Sequence, residues 1–236
     1  MATIPTIPWQ DPPPPRVPPL QSGDQLTVEE FERRYDAMPN LKKAELIEGV
    51  VYVGSPVSED HGTPHFNFVT WLGTYAWATP GLIGGDNTTL RLDVGNMPQP
   101  DAYLRIDARC GGRARLGPDR YVVGGPELIA EIAVTSANYD LREKLEVYRR
   151  NEVQEYVVWR VWDRAIDWFV LRGANYEPLV AGPDGIVRSE VFPGLWLDPA
   201  ALIDEDFVRV LAVAQQGLTC AEHAAFLARL GEPATP

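Results

Sequence analysis

The chain has 236 residues, 45% of them hydrophobic and 23% charged, with a formal net charge of −12; it is sized for one domain or one and a half around an ordinary globular core. The acidic balance argues against a protein that coats nucleic acid non-specifically, and no run approaches the roughly 18 consecutive apolar residues of a membrane span. Two cysteines, Cys110 and Cys220, make no disulfide framework, so a reducing cytoplasm is the expected compartment. Local basic surfaces stay available, since residues 105–120 hold five Arg against two Asp and residues 142–150 hold four cations against two Glu.

In chain order, residues 1–23 are Pro-rich, with Pro12 to Pro15 unbroken, and read as a flexible or polyproline arm that packs no core. The segment has neither a basic start nor an apolar h-region, so no secretory signal is expected. Thr27 followed by Glu30 is a capping box that opens a helix to about Ala37. Residues 44–53 predict two short strands around Glu48-Gly49. A second helix runs from Ser58 or Thr63 to about Ala78, with Phe68, Trp71 or Leu72, and Tyr75 as its apolar stripe. Residues 82–95 are strand material, and Pro100-Asp101-Ala102-Tyr103-Leu104 starts another strand, where a proline at entry costs no ladder bond.

After an Arg/Gly-rich loop comes Glu127-Leu-Ile-Ala-Glu131-Ile-Ala-Val134, a mostly apolar run that reads as a strand buried on both faces. Glu131 is out of place there, because an isolated buried charge costs several kcal/mol or changes its pKa. Either the strand reaches solvent at Glu131 or a cation waits for it. A helix follows over about Leu141 to Arg150, with Asp140 and Glu143 as its capping signature. Its phase sets Lys144 at the edge of a stripe of Leu141, Leu145 and Tyr148, placed either to meet Glu131 or to snorkel out over the apolar surface. Strands are expected at Tyr156 to Trp162 and Ile166 to Leu171, with Trp159, Trp162 and Trp168 in the core. Tyr176 to Val180 and Ile186 to Phe192 predict a further strand pair, and Phe207 to Leu230 two short helices carrying an exposed His223. The mixture predicts an α/β fold with a mixed central sheet.

Asp101 at one strand start and Glu131 in another, with a cation near, form a set suited to a divalent metal acting on a phosphodiester. Carboxylate oxygens hold Mg²⁺, and a lysine stabilises the growing charge or orients water. His61 and His65 have i,i+4 spacing, yet Pro64 interrupts the helix they need and no third zinc ligand is evident. No Gly-rich phosphate loop or nucleophile motif is present.

Pro100-Asp101 followed by Glu131-Ile132-Ala133 resembles the PD-(D/E)XK nuclease pattern, with Ala133 in place of the motif lysine. Four stretches together resemble the Uma-two family of restriction-endonuclease-like proteins: residues 44–49, Ser55-Pro56 with His61, Pro100-Asp101, and Ile132 through Tyr148. In that family the lysine is displaced onto the following helix, which Lys144 matches, and Phe192-Pro193-Gly194-Leu195 resembles the closing strand.

The resemblance implies a restriction-endonuclease-like domain over 24–200, preceded by the 1–23 arm and followed by a helical extension over 201–236. It implies Mg²⁺- or Mn²⁺-dependent hydrolysis of DNA, double-stranded, with Asp101 and Glu131 on the metal, Glu45 assisting and Lys144 acting on water or the transition state. Cutting two antiparallel strands predicts a homodimer. Two other readings stand: a nuclease fold that has lost its chemistry, favoured by Ala133 and the charge of −12, and a ligand-binding protein, which would need a more apolar cleft.

Overall fold

The computed structural model describes residues 17–231. Helix α1 (Val28–Asp36) opens at Thr27, whose hydroxyl accepts from the Glu30 amide. Strands β1 (Ala44–Ile47) and β2 (Val50–Val53) form a hairpin whose two turn residues, Glu48 and Gly49, both have positive φ. Such a turn matches the twist of the strands it joins and favours glycine at its second position. Helix α2 (Glu59–Ala78) buries Phe68, Trp71, Leu72 and Tyr75, the stripe its periodicity predicts. It runs through Pro64 unbroken. A proline this close to the start removes a single backbone bond, and His61 and His65 consequently do share one face, their rings stacked at 5.7 Å.

The strands β3 (Leu82–Asp86), β5 (Ala102–Ile106), β8 (Leu128–Ala133), β9 (Glu155–Arg160), β10 (Ala165–Arg172) and β11 (Asn175–Pro178) form one mixed sheet in the order β11-β10-β9-β8-β5-β3. Between β3 and β5 lies the short strand β4 (Leu90–Arg91), which joins β6 (Arg115–Leu116) and β7 (Val122–Val123) in a separate three-stranded sheet. The pair β8–β9 is parallel and its neighbours are antiparallel. A parallel pair needs a crossover, here supplied by α3 (Ala137–Tyr139), a π-helical turn (Asp140–Lys144) and α4 (Leu145–Arg150), which run on as one helix.

Alternation along β8 divides the core in two. Leu128, Ala130 and Ile132 face α2, while Ile129 and Ala133 pack with Val147, Tyr148 and Tyr156 on the crossover side. Glu131 shares the parity of this second face.

The chain closes with β12 (Val187–Arg188), β13 (Trp196–Leu197), α5 (Pro199–Ile203), α6 (Phe207–Leu218) and α7 (Ala221–Gly231). Val210, Ala214, Phe226 and Leu230 enter the same apolar cluster as α2, so the helical extension completes the core of the preceding residues. The expected pairing of Tyr176–Val180 with Ile186–Phe192 does not form: β11 extends the main sheet through β10, and β12 pairs with β13. Buried Glu155 accounts for this. Its carboxylate accepts from Ser189 Oγ and from the amides of Glu190 and Val191, pulling that segment under the sheet. His223 is buried, not exposed, with Nε2 2.9 Å from Thr79 Oγ1 and Nδ1 2.9 Å from the Leu218 carbonyl.

Most of the expected flexible arm, residues 1–16, lies outside the described residues. For 17–23 the expectation is corrected, because Leu20 is 5% exposed and packs with Phe31, Leu46, Val51 and Met97. Ser22 Oγ and the Gly23 amide bond to β2, at the amide of Val53 and the carbonyl of Val51. The prolines gave the segment its composition, but one leucine is enough to anchor it. Leu20→Ala should cost about 2–4 kcal/mol in urea unfolding, the usual range for a buried leucine. A cost within about 0.5 kcal/mol, as for an ordinary surface change, would show that the segment does not pack in solution.

Candidate active site

The β5–β8 register pairs Ala102 with Ala130, and its next step sets Asp101 beside Glu131. Both carboxylates line a cleft of about 350 Å³, with Glu45 from β1, Lys144 and Asp140 from the π-helical turn, and Lys43 and His61. The four residues singled out in the sequence, Glu45, Asp101, Glu131 and Lys144, therefore meet at one place.

Lys144 is 2% exposed and sits inside the core, not at the edge of a stripe. Its Nζ lies 2.9 Å from Glu131 Oε1, 2.9 Å from Glu45 Oε1 and 3.8 Å from Asp140 Oδ1. Tyr148 donates its hydroxyl to the same Glu131 oxygen at 2.7 Å, and Glu45 Oε1 also accepts from the Gln99 amide at 2.7 Å. The expected cap at Asp140 is corrected too. The helix starts one turn earlier, at Ala137, and Asp140 is an interior residue whose Oδ2 accepts from Ser136 Oγ at 2.5 Å. With the start moved and a π-helical turn inserted, Asp140, Lys144, Val147 and Tyr148 become the inward face, while Leu141 and Leu145 are only partly buried. Wide turns of this kind often mark functional sites.

Asp101 is held separately. Its Oδ1 is 3.2 Å from Lys43 Nζ, and its Oδ2 is 3.2 Å from His61 Nε2 and accepts from the Ile132 amide at 2.8 Å. His65 Nε2 lies 2.9 Å from the Asp101 carbonyl. Lys43, Asp140 and Tyr148 are site residues that sequence reasoning missed. Lys43 did leave a signal, since it precedes Glu45 by two residues and so points to the same side of an extended chain.

The two acids are tuned in opposite directions. Burial opposes ionisation of Asp101, but the bonds from His61 and Ile132 and the Lys43 charge outweigh it and hold this carboxyl well below the usual range. For Glu131 burial wins, and the carboxyl is pushed up to about 8 against the pull of Lys144, helped by the charges of Asp101 and Asp140. Asp140 is raised as well, chiefly by burial. Lys144 stays protonated despite its own burial, because Glu131, Glu45 and Asp140 surround it. One ammonium among three carboxylates leaves the cluster holding an extra proton near neutral pH.

The donor chemistry of the cleft fits a hard divalent cation. Asp101, Glu131 and Glu45 offer carboxylate oxygen and no sulfur, which suits Mg²⁺ or Mn²⁺. Among the described residues no three His, Cys, Asp or Glu side chains are gathered about one metal position. Lys43 and Lys144 supply the countercharge in this structure, and His61 hydrogen-bonds Asp101.

Four of the arginines expected to form basic patches find acids instead: Arg109 with Asp107, Arg113 with Glu152, Arg149 with Glu146 and Arg150 with Glu48. No helix among the described residues is long and apolar enough to cross a membrane.

Residues 28–200 match the model of a family, Uma2, described as "Putative restriction endonuclease". The fold is similar to a crystal structure from Anabaena variabilis ATCC 29413, described as "a putative nuclease belonging to DUF820". The two share 14% sequence identity at a TM-score of 0.59, over 75% of this chain and 99% of that one, a likeness that concerns the fold alone. A search of curated proteins finds no match. The expected architecture, a mixed central sheet flanked by helices, is the one observed.

The raised carboxyl of Glu131 makes a pH-dependent prediction. Between its ordinary value of 4.5 and about 8 the folded chain keeps a proton that the unfolded chain releases, so this group lowers stability progressively as pH rises through that window. Glu131→Gln should therefore raise Tm in metal-free buffer by several degrees at pH 8.5, at roughly 3 °C per kcal/mol. The gain should shrink towards zero near pH 5. A gain independent of pH would refute the assignment of the proton to Glu131.

Proposed function

Since the chain belongs to the Uma2 family, we propose that its cleft hydrolyses DNA phosphodiester bonds with a divalent metal, Mg²⁺ or Mn²⁺. The observation that carries this reading is the 2.9 Å contact between Lys144 Nζ and Glu131 Oε1. Ala133 cannot supply the lysine of the nuclease pattern, and a lysine from the crossover helix reaches the acid two positions before it.

Asp101 and Glu131 would hold the metal, and the chemistry it supplies there is polarisation of the phosphoryl group. Asp101 is kept ionised by Lys43, His61 and the Ile132 amide, so it offers a charged ligand without a prior proton loss. Glu131 must give up its proton to act as a ligand, which ties activity to pH as well as to metal. Lys144 donates towards the attacking water or the charge that grows on the phosphate. Glu45 and Asp140 keep that ammonium protonated and in place. A chain that retains the fold without the chemistry is the second reading, and Ala133 is what favours it.

Plasmid nicking with Mg²⁺ and Mn²⁺ tests the proposal. Wild type should nick only with metal. Lys144→Met, which keeps most of the stem volume, should be about 100-fold slower or worse, the size of loss on removing one transition-state donor. It should also be less stable by roughly 3–5 kcal/mol, because breaking a buried pair strands its partners. The edge placement read from the sequence would have made this substitution nearly neutral for folding; burial of Lys144 reverses that. Equal rates for the two proteins would exclude the displaced lysine, and wild type inert with every divalent metal would support the second reading.

We further place the active form as a homodimer, since one cleft per chain hydrolyses one strand at a time. Exposed Val208 and Leu211 on α6 are its interface candidates. Sedimentation should give a dimer at protein concentrations on the order of tens of micromolar, above an ordinary micromolar Kd; a monomer there would remove the dimer from the proposal.

A further inference from the structure

Beside the cleft lies a second cavity of about 230 Å³ that shares Val134, Thr135 and Trp162 with it. Trp162, expected in the core, is 66% exposed in the connection between β9 and β10 and forms a wall common to both spaces. A solitary exposed tryptophan is ordinary on a protein surface. One standing between a candidate catalytic cleft and an adjoining pocket is placed to touch whatever enters.

The chemistry of the two spaces differs. The cleft carries the ammonium groups of Lys43 and Lys144 among carboxylates. The charged groups lining the second cavity, Arg160 and Asp163, are paired at 2.6 Å; Arg160 also holds Asp167 at 2.6 Å, which leaves the trio one negative charge in excess, and exposed Thr135 and Asn138 add neutral hydrogen-bonding groups. An occupant that sets the phosphate of the nuclease reading in the cleft and reaches the second cavity would present there a ring without negative charge, with hydrogen-bonding groups on its edge. A nucleotide has this form. A base inside a duplex does not, because its face is covered by neighbours and its edge by its partner.

We propose that this second cavity receives an unpaired nucleobase flanking the phosphate in the cleft, with Trp162 stacked on its face and Asn138 bonding to its edge. The proposal rests on the nuclease reading for the contents of the cleft, and it names the substrate class as DNA with an accessible, unpaired base. It also fits the acidic balance: at a net charge of −12, with Arg109, Arg113, Arg149 and Arg150 paired to acids, stacking supplies affinity that long-range attraction to phosphate does not.

Binding tests it without requiring turnover. A labelled single strand of about 12 nucleotides, within the span of known single-strand sites, is titrated in Ca²⁺ and followed by anisotropy and by tryptophan quenching. Trp162→Ala should weaken binding about tenfold or more, the usual loss of one stacking partner, while Trp162→Phe keeps most of the affinity and loses the quenching assigned to Trp162. A strand carrying abasic positions should bind wild type about as weakly as the intact strand binds Trp162→Ala. Equal affinity for wild type and Trp162→Ala, equal affinity for intact and abasic strands, or no binding of single strands overturns the base site. Plasmid nicking separates this from the hydrolysis itself. If wild type nicks while Trp162→Ala binds normally, the base site alone is lost; if wild type does not nick but Trp162-dependent binding persists, the hydrolysis alone is lost.

Discussion

One buried ammonium surrounded by three carboxylates organises this molecule. Lys144 ties together the β1–β2 hairpin through Glu45, the central strand through Glu131, and its own helix through Asp140. Each acid would be expensive alone in the core, and the set becomes tolerable because each has a charged or hydrogen-bonding partner. The hairpin, the sheet and the crossover helix are therefore held in register by charge as well as by apolar packing. A buried cluster with more acid than base contributes little net stability. On the proposed function, the geometry it enforces is that of a metal-binding cleft.

Topology decides where the cleft opens. β8 and β9 form the one parallel pair of the six-stranded sheet, and the segments leaving their carboxyl ends, Val134 to Ser136 and Trp162, both line the cleft. Crevices beside the carboxyl ends of parallel strands are common ligand sites because the connections there diverge. The same parallel pairing demands a crossover helix, and that helix brings Lys144. Site and cation are thus two consequences of a single strand arrangement. The opposite face of β8 carries α2 and the C-terminal helices, so chemistry and the larger apolar cluster lie on different sides of the sheet.

Charge sets the manner in which such a cleft can meet a polyanion. A net −12, with arginines paired to acids at several surface positions, leaves little long-range attraction for DNA. On the proposed function, recognition would come from short-range groups: a metal held by Asp101 and Glu131, the ammonium of Lys43, and an aromatic ring at the cleft wall. Asp101 and Glu131 are tuned in opposite directions. Asp101 lies where cations and an amide favour its charge, and Glu131 lies where burial disfavours it.

The sequence alone carried the local structure wherever a short-range rule applied. The Thr27 cap, the Glu48-Gly49 turn, the α2 stripe and the strand around Glu131 formed as read, because caps, turn dihedrals and side-chain alternation depend on near neighbours; the other half of the capping box did not, since the Glu30 carboxylate accepts from Arg33 and Arg34. It also pointed to a missing partner, since a carboxylate in an apolar strand demands a cation. Tertiary structure decided which groups answer it and from where. The burial of Lys144 depended on the helix beginning at Ala137 and widening at Asp140–Lys144, a phase shift that an Asp-x-x-Glu cap pattern concealed. Glu155 sent residues 186–192 away from β11, Leu20 anchored a segment whose prolines suggested none, and Trp162 left the core for the cleft wall. Each of these outcomes rests on contacts between residues far apart in the chain, whose energies no periodicity or local propensity contains.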